Sequence, residues 1–140
     1  MGDTFSSIAC AFFSRGLLYI SAMSRTILGI ELLLDDKIDL IRGQRVGLVC
    51  NQASVLPDSF AHAADVFGSR DEFELTALFG PQHGIRGDVQ YNMIETPHVR
   101  DERTGKMVYS LYSDVREPTM EMLRDVDVIV VDLQDVGCRI

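Results

Sequence analysis

The chain contains no tryptophan, and only three cysteines and four prolines among its 140 residues. Cys10, Cys50 and Cys138 lie far apart and form no CxxC pair, so no zinc-site pattern is present. Their odd number fits a reducing compartment, and a cytoplasmic location is the expectation. Basic residues are also scarce. Thirteen Lys and Arg against 21 Asp and Glu leave a formal charge of −8, which argues against a nucleic-acid partner, because phosphate binding needs basic patches. No run of five like charges occurs, so there is no acidic tail. A long hydrophobic run is missing too. Ile8–Phe13 and Leu17–Ile20 are apolar, but Arg15 interrupts them and the stretch is too short to span a bilayer.

Several signatures of chemistry are absent. No GxGxxG follows a strand-like run, and no Walker lysine loop exists, so a nucleotide fingerprint is missing. There is no GxSxG elbow for a serine nucleophile and no HExxH for zinc.

What remains is an ordinary globular composition, 46% hydrophobic and 24% charged, in a length that suits one domain able to bury its own core. We read residues 1–22 as a disordered extension or a mis-assigned start, with Met23 as the start. A cleavable signal ending near Ser21-Ala22, which would place the protein in a secreted or periplasmic location, is the alternative; Asp3 stands where a signal would carry basic residues. Residues 23–140 are read as one partial domain. Its last stretch, from Asp132, leaves a strand and enters a polar loop without a closing helix, which suggests a fragment of a longer protein.

Hydrophobic spacing orders the elements. Ile30, Leu33, Leu34, Ile38 and Ile41 fit a helical face that Asp35-Asp36 can divide and Gly43 can end. Arg45–Cys50 reads as a buried strand. Asp58 or Ser59 can cap a helix running through Phe60, Ala64 and Phe67 to Gly68. Phe73–Phe79 is a second strand, and Met107–Tyr109 a short third. Pro118 suits the first turn of a helix to Arg124, and Asp127–Leu133 is a β-branched strand. Alternating strands and helices predict an α/β domain with a mainly parallel sheet.

The densest polar chemistry lies in residues 79–88, Phe-Gly-Pro-Gln-His-Gly-Ile-Arg-Gly-Asp. It supplies an amide, an imidazole, a guanidinium and a carboxylate directly after a strand. The segment 80–105 is longer than a purely structural connection needs. Two other strands also end in polar loops, Asn51-Gln52 and Gln134-Asp135, with Asp132 at the end of its strand. Parallel strands put these loops at one sheet edge, where open α/β sheets bind ligands. Each residue has a plain alternative: Asn51 as a turn former, His83 as a satisfied loop histidine, Arg86 and Asp88 as a surface ion pair. Asp88, Glu95, Asp132 and Asp135 provide carboxyl groups for acid–base work on a glycoside, and burial would raise one toward a general acid. A metal-assisted hydrolase using His83, Asp132 and Asp135 is a competing reading.

The 79–87 stretch resembles the "PEHGFRG" signature of the NamZ/YbbC-like family of exo-β-N-acetylmuramidases, long catalogued as a domain of unknown function. Gly47–Ser54 is similar to the family's first strand and following loop. Val108–Tyr112, Arg116–Thr119, Met122-Leu123 and Asp127–Arg139 match further blocks in the family's order. The resemblance implies a Rossmann-like N-terminal domain, here truncated, with the family's C-terminal domain absent and the active site in a cleft between the two. It implies release of terminal N-acetylmuramic acid from the non-reducing end of peptidoglycan fragments, hence a muramic-acid-containing saccharide as partner and no cofactor or metal. The candidate catalytic residues are Gln82, His83, Glu95 and Asp135. The candidate substrate-binding residues are Asn51, Arg86, Asp88, Asp132, Gln134 and Arg139. Arg86 and Arg139 are expected to meet the lactyl carboxylate that distinguishes muramic acid. One departure stands out: the family signature carries a glutamate, its implied catalytic acid, where this chain has Gln82. Glutamine has no proton to give in that role. A catalytically silent muramyl-sugar-binding protein is therefore the alternative to a hydrolase.

Overall fold

The computed structural model describes residues 25–89 and 95–135. The extension at 1–22, the segment Asn92-Met93-Ile94 and Arg139 lie outside the described residues.

A five-stranded sheet organises the chain. Its strands are β1 (Arg45–Cys50), β2 (Glu74–Gly80), β3 (Val99–Arg100), β4 (Met107–Ser110) and β5 (Val128–Asp132). Their spatial order is β3-β4-β2-β1-β5. β1 pairs in parallel with both β2 and β5, β2 pairs in parallel with β4, and the short β3 runs antiparallel at the far edge. The mainly parallel α/β sheet expected from the sequence is the observed one.

Among the described residues, two short helices flank it. α1 (Gly29–Asp35) opens with a side-chain cap, in which Leu28 N donates to Glu31 Oε2 at 2.9 Å. Arg25 reaches the other oxygen of Glu31 at 2.7 Å. The apolar spacing continues into a 3-10 turn at Ile38–Leu40, and Gly43 takes φ +70° as the chain turns into β1. α2 (Ala63–Gly68) follows β1.

Two helical expectations need correction. The helix after β1 starts at Ala63, capped by His62, and not at Asp58 or Ser59. Phe60 has φ +53° and is exposed, because Leu56 N–H donates to Ala61 O at 3.0 Å and closes a tight loop in place of a first helical turn. The helix expected from Pro118 to Arg124 is a run of turns. Its backbone bonds mix Leu123 N to Thr119 O with the shorter spans Arg124 N to Glu121 O and Val126 N to Leu123 O, so no continuous ladder forms.

The core lies between the helices and one sheet face. Val46, Leu48, Cys50, Phe67 and Leu78 are fully buried there, with Ile30 and Leu34 from α1 beside them. Phe67 and Phe73 pack with ring centroids 5.1 Å apart. Gly47 is fixed by packing on the other face, since a Cβ there would lie 3.0 Å from both Phe79 and Val126 side-chain carbons. Ile129, Val131 and Leu133 of the β5 edge are exposed.

Cys50 behaves as a core residue. Burial pushes its thiol up to about 12, with Asp132 adding to the rise. Native protein is expected to leave Cys50 unmodified by iodoacetamide at pH 8, with modification appearing only in denaturant. Peptide mass mapping reads this out, and rapid native alkylation would contradict the packing.

Candidate functional site

The loops after β1 and β5 are stitched to each other. Asn51 is 4% exposed, and its Nδ2 donates to Gln134 O at 2.9 Å. Its Oδ1 accepts from Ala53 N at 3.1 Å, and its own backbone N donates to Ser54 Oγ at 2.9 Å. The Ser54 hydroxyl, fully buried, also reaches Asn51 Oδ1 and Asp132 O. These contacts use up the side-chain polar groups of Asn51 and Ser54. Gln134 Nε2 donates to Val55 O and to Asp132 Oδ2, each at 3.2 Å. Burial raises the Asp132 carboxyl above its ordinary value, opposed by the Gln134 hydrogen bond. β1 is where the order turns, with β2 on one side and β5 on the other, so this stitching fills the crevice of the topological switch point.

His62 is the residue the sequence did not single out. It is buried, and its Nε2 lies 2.9 Å from both Asn51 O and Ile85 O. Both partners are acceptors, so Nε2 carries the proton. Nδ1 accepts from Ala64 N at 3.2 Å, which assigns the neutral tautomer. One imidazole thus caps α2 and ties the loop after β1 to the loop after β2. His62→Ala removes the cap, takes the imidazole donor from Ile85 O, and leaves Asn51 O with only the Ser54 N–H, 3.1 Å away. It is expected to lower stability by about 2 kcal/mol in urea unfolding. A change under about 0.5 kcal/mol would contradict the tie.

The loop after β2 begins with a turn in which Gly84 N donates to Pro81 O at 3.1 Å. His83 occupies its third position with φ +76°, a backbone region that favours glycine, and is 8% exposed. Its Nδ1 lies 2.6 Å from Val89 O, so Nδ1 donates and Nε2 is left to accept or to take up a proton. Strain of this kind persists where the surroundings fix it, and it clusters at binding sites. Gly87, at φ +73°, lies over the Gln52 side chain, whose Oε1 is buried without a hydrogen-bond partner among the described residues.

A cavity of about 560 Å³ opens beside this loop. His83, Arg86, Asp88, Thr96, Arg100 and Ser110 contribute to its wall. Thr96 and Ser110 join their hydroxyls at 2.6 Å. The Arg86 guanidinium is held on two sides. Nε and Nη2 donate to Asp101 at 2.7 and 3.0 Å, and Nη2 and Nη1 donate to Asp65 at 2.7 and 3.3 Å. This bidentate clamp holds the Asp101 carboxyl well below the usual carboxylate range, helped by Thr104, and raises Arg86. Arg86 therefore pairs with Asp65 and Asp101, and not with Asp88 as a local surface pair.

The expected residues fall into two groups. Asn51, Asp132 and Gln134 share one hydrogen-bonded cluster, whereas His83, Arg86 and Asp88 line the cavity. His62 joins the loops that carry them. Gln82 is half-buried in the turn. Glu95 is exposed and lies 3.5 Å from Arg116, and Asp135 is exposed. Among the described residues no three His, Cys, Asp or Glu side chains gather closely enough to hold a metal ion, so the set His83, Asp132 and Asp135 is not a cluster. No helix among the described residues is long and apolar enough to cross a membrane.

Residues 46–140 match the family model described as the N-terminal part of the exo-β-N-acetylmuramidase NamZ. The chain belongs to this family. It is 45% identical over 111 residues to a Bacillus subtilis (strain 168) protein named peptidoglycan β-N-acetylmuramidase NamZ, a match covering 79% of this chain and 26% of that one. Two crystal structures of DUF1343-family proteins from Bacteroides fragilis NCTC 9343 share the fold. One has TM-score 0.65 at 43% identity, covering 79% of this chain and 27% of its own. The other has TM-score 0.59 at 27% identity, covering 81% and 27%. The chain thus spans about a quarter of the length of these relatives.

Proposed function

We propose that the protein, at its natural length, is a slow glycoside hydrolase that removes terminal N-acetylmuramic acid from peptidoglycan fragments in cell-wall turnover or recycling. The observation that carries this reading is the loop after β2. In a chain of the muramidase family, it holds a strained, nearly buried histidine against a cavity of about 560 Å³ at the carboxyl edge of a parallel sheet. That volume suits a saccharide unit.

The side chains support particular roles. His83 Nε2 is the group able to hold or move a proton at the cavity wall. Asp88 lines the same cavity, and Glu95 directly precedes Thr96 of its wall. Asp132, in the hydrogen-bonded cluster of the neighbouring loops, is a carboxyl that burial lifts and Gln134 orients. Asn51 and Gln134 hold the neighbouring loops, and Gln82 contributes hydrogen bonds without a proton to transfer. A carboxyl other than the family's glutamate then supplies the acid, and turnover is slow.

Gln82 itself favours the second reading, a protein that binds muramyl sugars without cleaving them. The protein at its natural length, given a chromogenic N-acetylmuramide, separates the two. Slow aglycone release is the expected result. Binding without release anywhere between about pH 4 and pH 9 would establish the silent reading. Neither binding nor release would overturn both.

A further inference from the structure

The clamp on Arg86 raises a question of charge. A muramyl ligand differs from its glucosamine counterpart by a lactyl ether that ends in a carboxylate. A buried or half-buried carboxylate needs a cation or a set of donors. Arg86, the expected partner, already faces two carboxylates through Nε, Nη1 and Nη2. Recruiting it would expose Asp65 or Asp101 to the loss of its own partner.

Two further arginines line the same cavity, Arg100 and Arg103. Arg103 Nη2 pairs with Asp65 Oδ2 at 3.0 Å. Arg100 differs from both. Its Nη1 donates to Gly105 O at 2.5 Å, a neutral acceptor, and no carboxylate lies within ion-pair distance of it among the described residues. That contact folds the side chain back along its own β3–β4 turn and fixes one end of the fork. The remaining guanidinium hydrogens keep their donor capacity. Arg100 also sits on β3, paired through Met107 to β4, so its backbone is anchored to the sheet while its head group stays exposed. The other charged residues on the wall that pair with no base among the described residues, Asp88 and Glu102, are negative, so neither can receive an anion.

We infer that Arg100 is the specificity residue that receives the lactyl carboxylate, whereas Arg86 is a structural cation of the cavity wall. This deepens the proposed function and rests on it. Discrimination between a muramide and a glucosaminide would then reside at the β3–β4 turn, away from the signature loop.

The test uses the natural-length protein and three ligands: N-acetylmuramic acid, its lactyl methyl ester and N-acetylglucosamine, with binding measured by calorimetry. Wild-type protein is expected to prefer the free acid over the ester by about 10- to 100-fold, the range of a charge-assisted pair. Arg100→Gln is expected to lose that preference, binding acid and ester equally, with N-acetylglucosamine binding unchanged. Arg100→Lys is expected to keep part of it. A wild-type protein that binds the ester as well as the acid overturns the inference without any variant. So does an Arg100→Gln protein that keeps the full preference. A wild-type protein that binds no muramyl ligand overturns the proposed function itself, a separate outcome.

Discussion

Gln82→Glu is expected to raise kcat on a chromogenic N-acetylmuramide by about 10²- to 10⁴-fold, with KM little changed. Glutamate is nearly isosteric with glutamine, so the Pro81–Gly84 turn accommodates it without rearrangement. The gain arises because a carboxylic acid can protonate the departing oxygen, which an amide cannot. The variant should also acquire an alkaline limb in its rate profile, as the new acid loses its proton. An unchanged or lower kcat would show that wild-type protein already employs another carboxyl efficiently. Asp88, on the cavity wall, would be the first to examine.

Arg86→Met is expected to cost about 3 kcal/mol of stability, or roughly 10 °C in Tm. Removing the guanidinium leaves Asp65 and Asp101 without a shared cation, and the Asp101 side chain is 6% exposed. Asp101→Asn should weaken the same unit less, because Thr104 N and Oγ1 still have an oxygen to bond. Acid should act on this unit in a defined direction. The folded-state carboxyl of Asp101 lies below its ordinary value of 3.8, so its contribution is complete above that value. It fades as the pH falls below about 4, because there the unfolded state binds the proton while the clamped folded-state carboxylate does not. Wild-type protein should therefore lose stability across that acid range, and Arg86→Met should show a shallower loss. By contrast, truncating the exposed Arg42–Asp39 pair should change stability by less than about 0.5 kcal/mol. Chemical unfolding at several pH values checks all three, and an Arg86→Met protein as stable as wild type would contradict the clamp.

The strands were legible because their apolar runs are short, β-branched and bounded by polar loops. Arg45–Cys50 was found with its observed limits, and Phe73–Phe79 and Asp127–Leu133 to within a residue or two. The parallel order follows from helical or long connections between them. The start of α2 is not legible, because Asp58 and Ser59 are good caps by residue type. A tight loop through Phe60 instead hands that role to a histidine, and the ring's long-range contacts carry no local signal. Pro118 was a sound helix-start cue, yet the chain there makes only turns. At the site, parallel topology alone makes Asn51 and Gln134 neighbours, and their hydrogen bond shows it. The clamp on Arg86 was not legible. Asp65 sits in a helix and Asp101 after an edge strand, and only the fold brings them to one guanidinium.

The central claim is that the loop after β2 and its cavity form the muramyl-sugar site. A crystal structure of the natural-length protein soaked with N-acetylmuramic acid tests it most directly. The account predicts a sugar in the cavity, with a ring hydroxyl or acetamido group within hydrogen-bond distance of His83 and the lactyl carboxylate at Arg100. A well-ordered sugar bound elsewhere, with the His83 cavity empty in the same crystal, would contradict it.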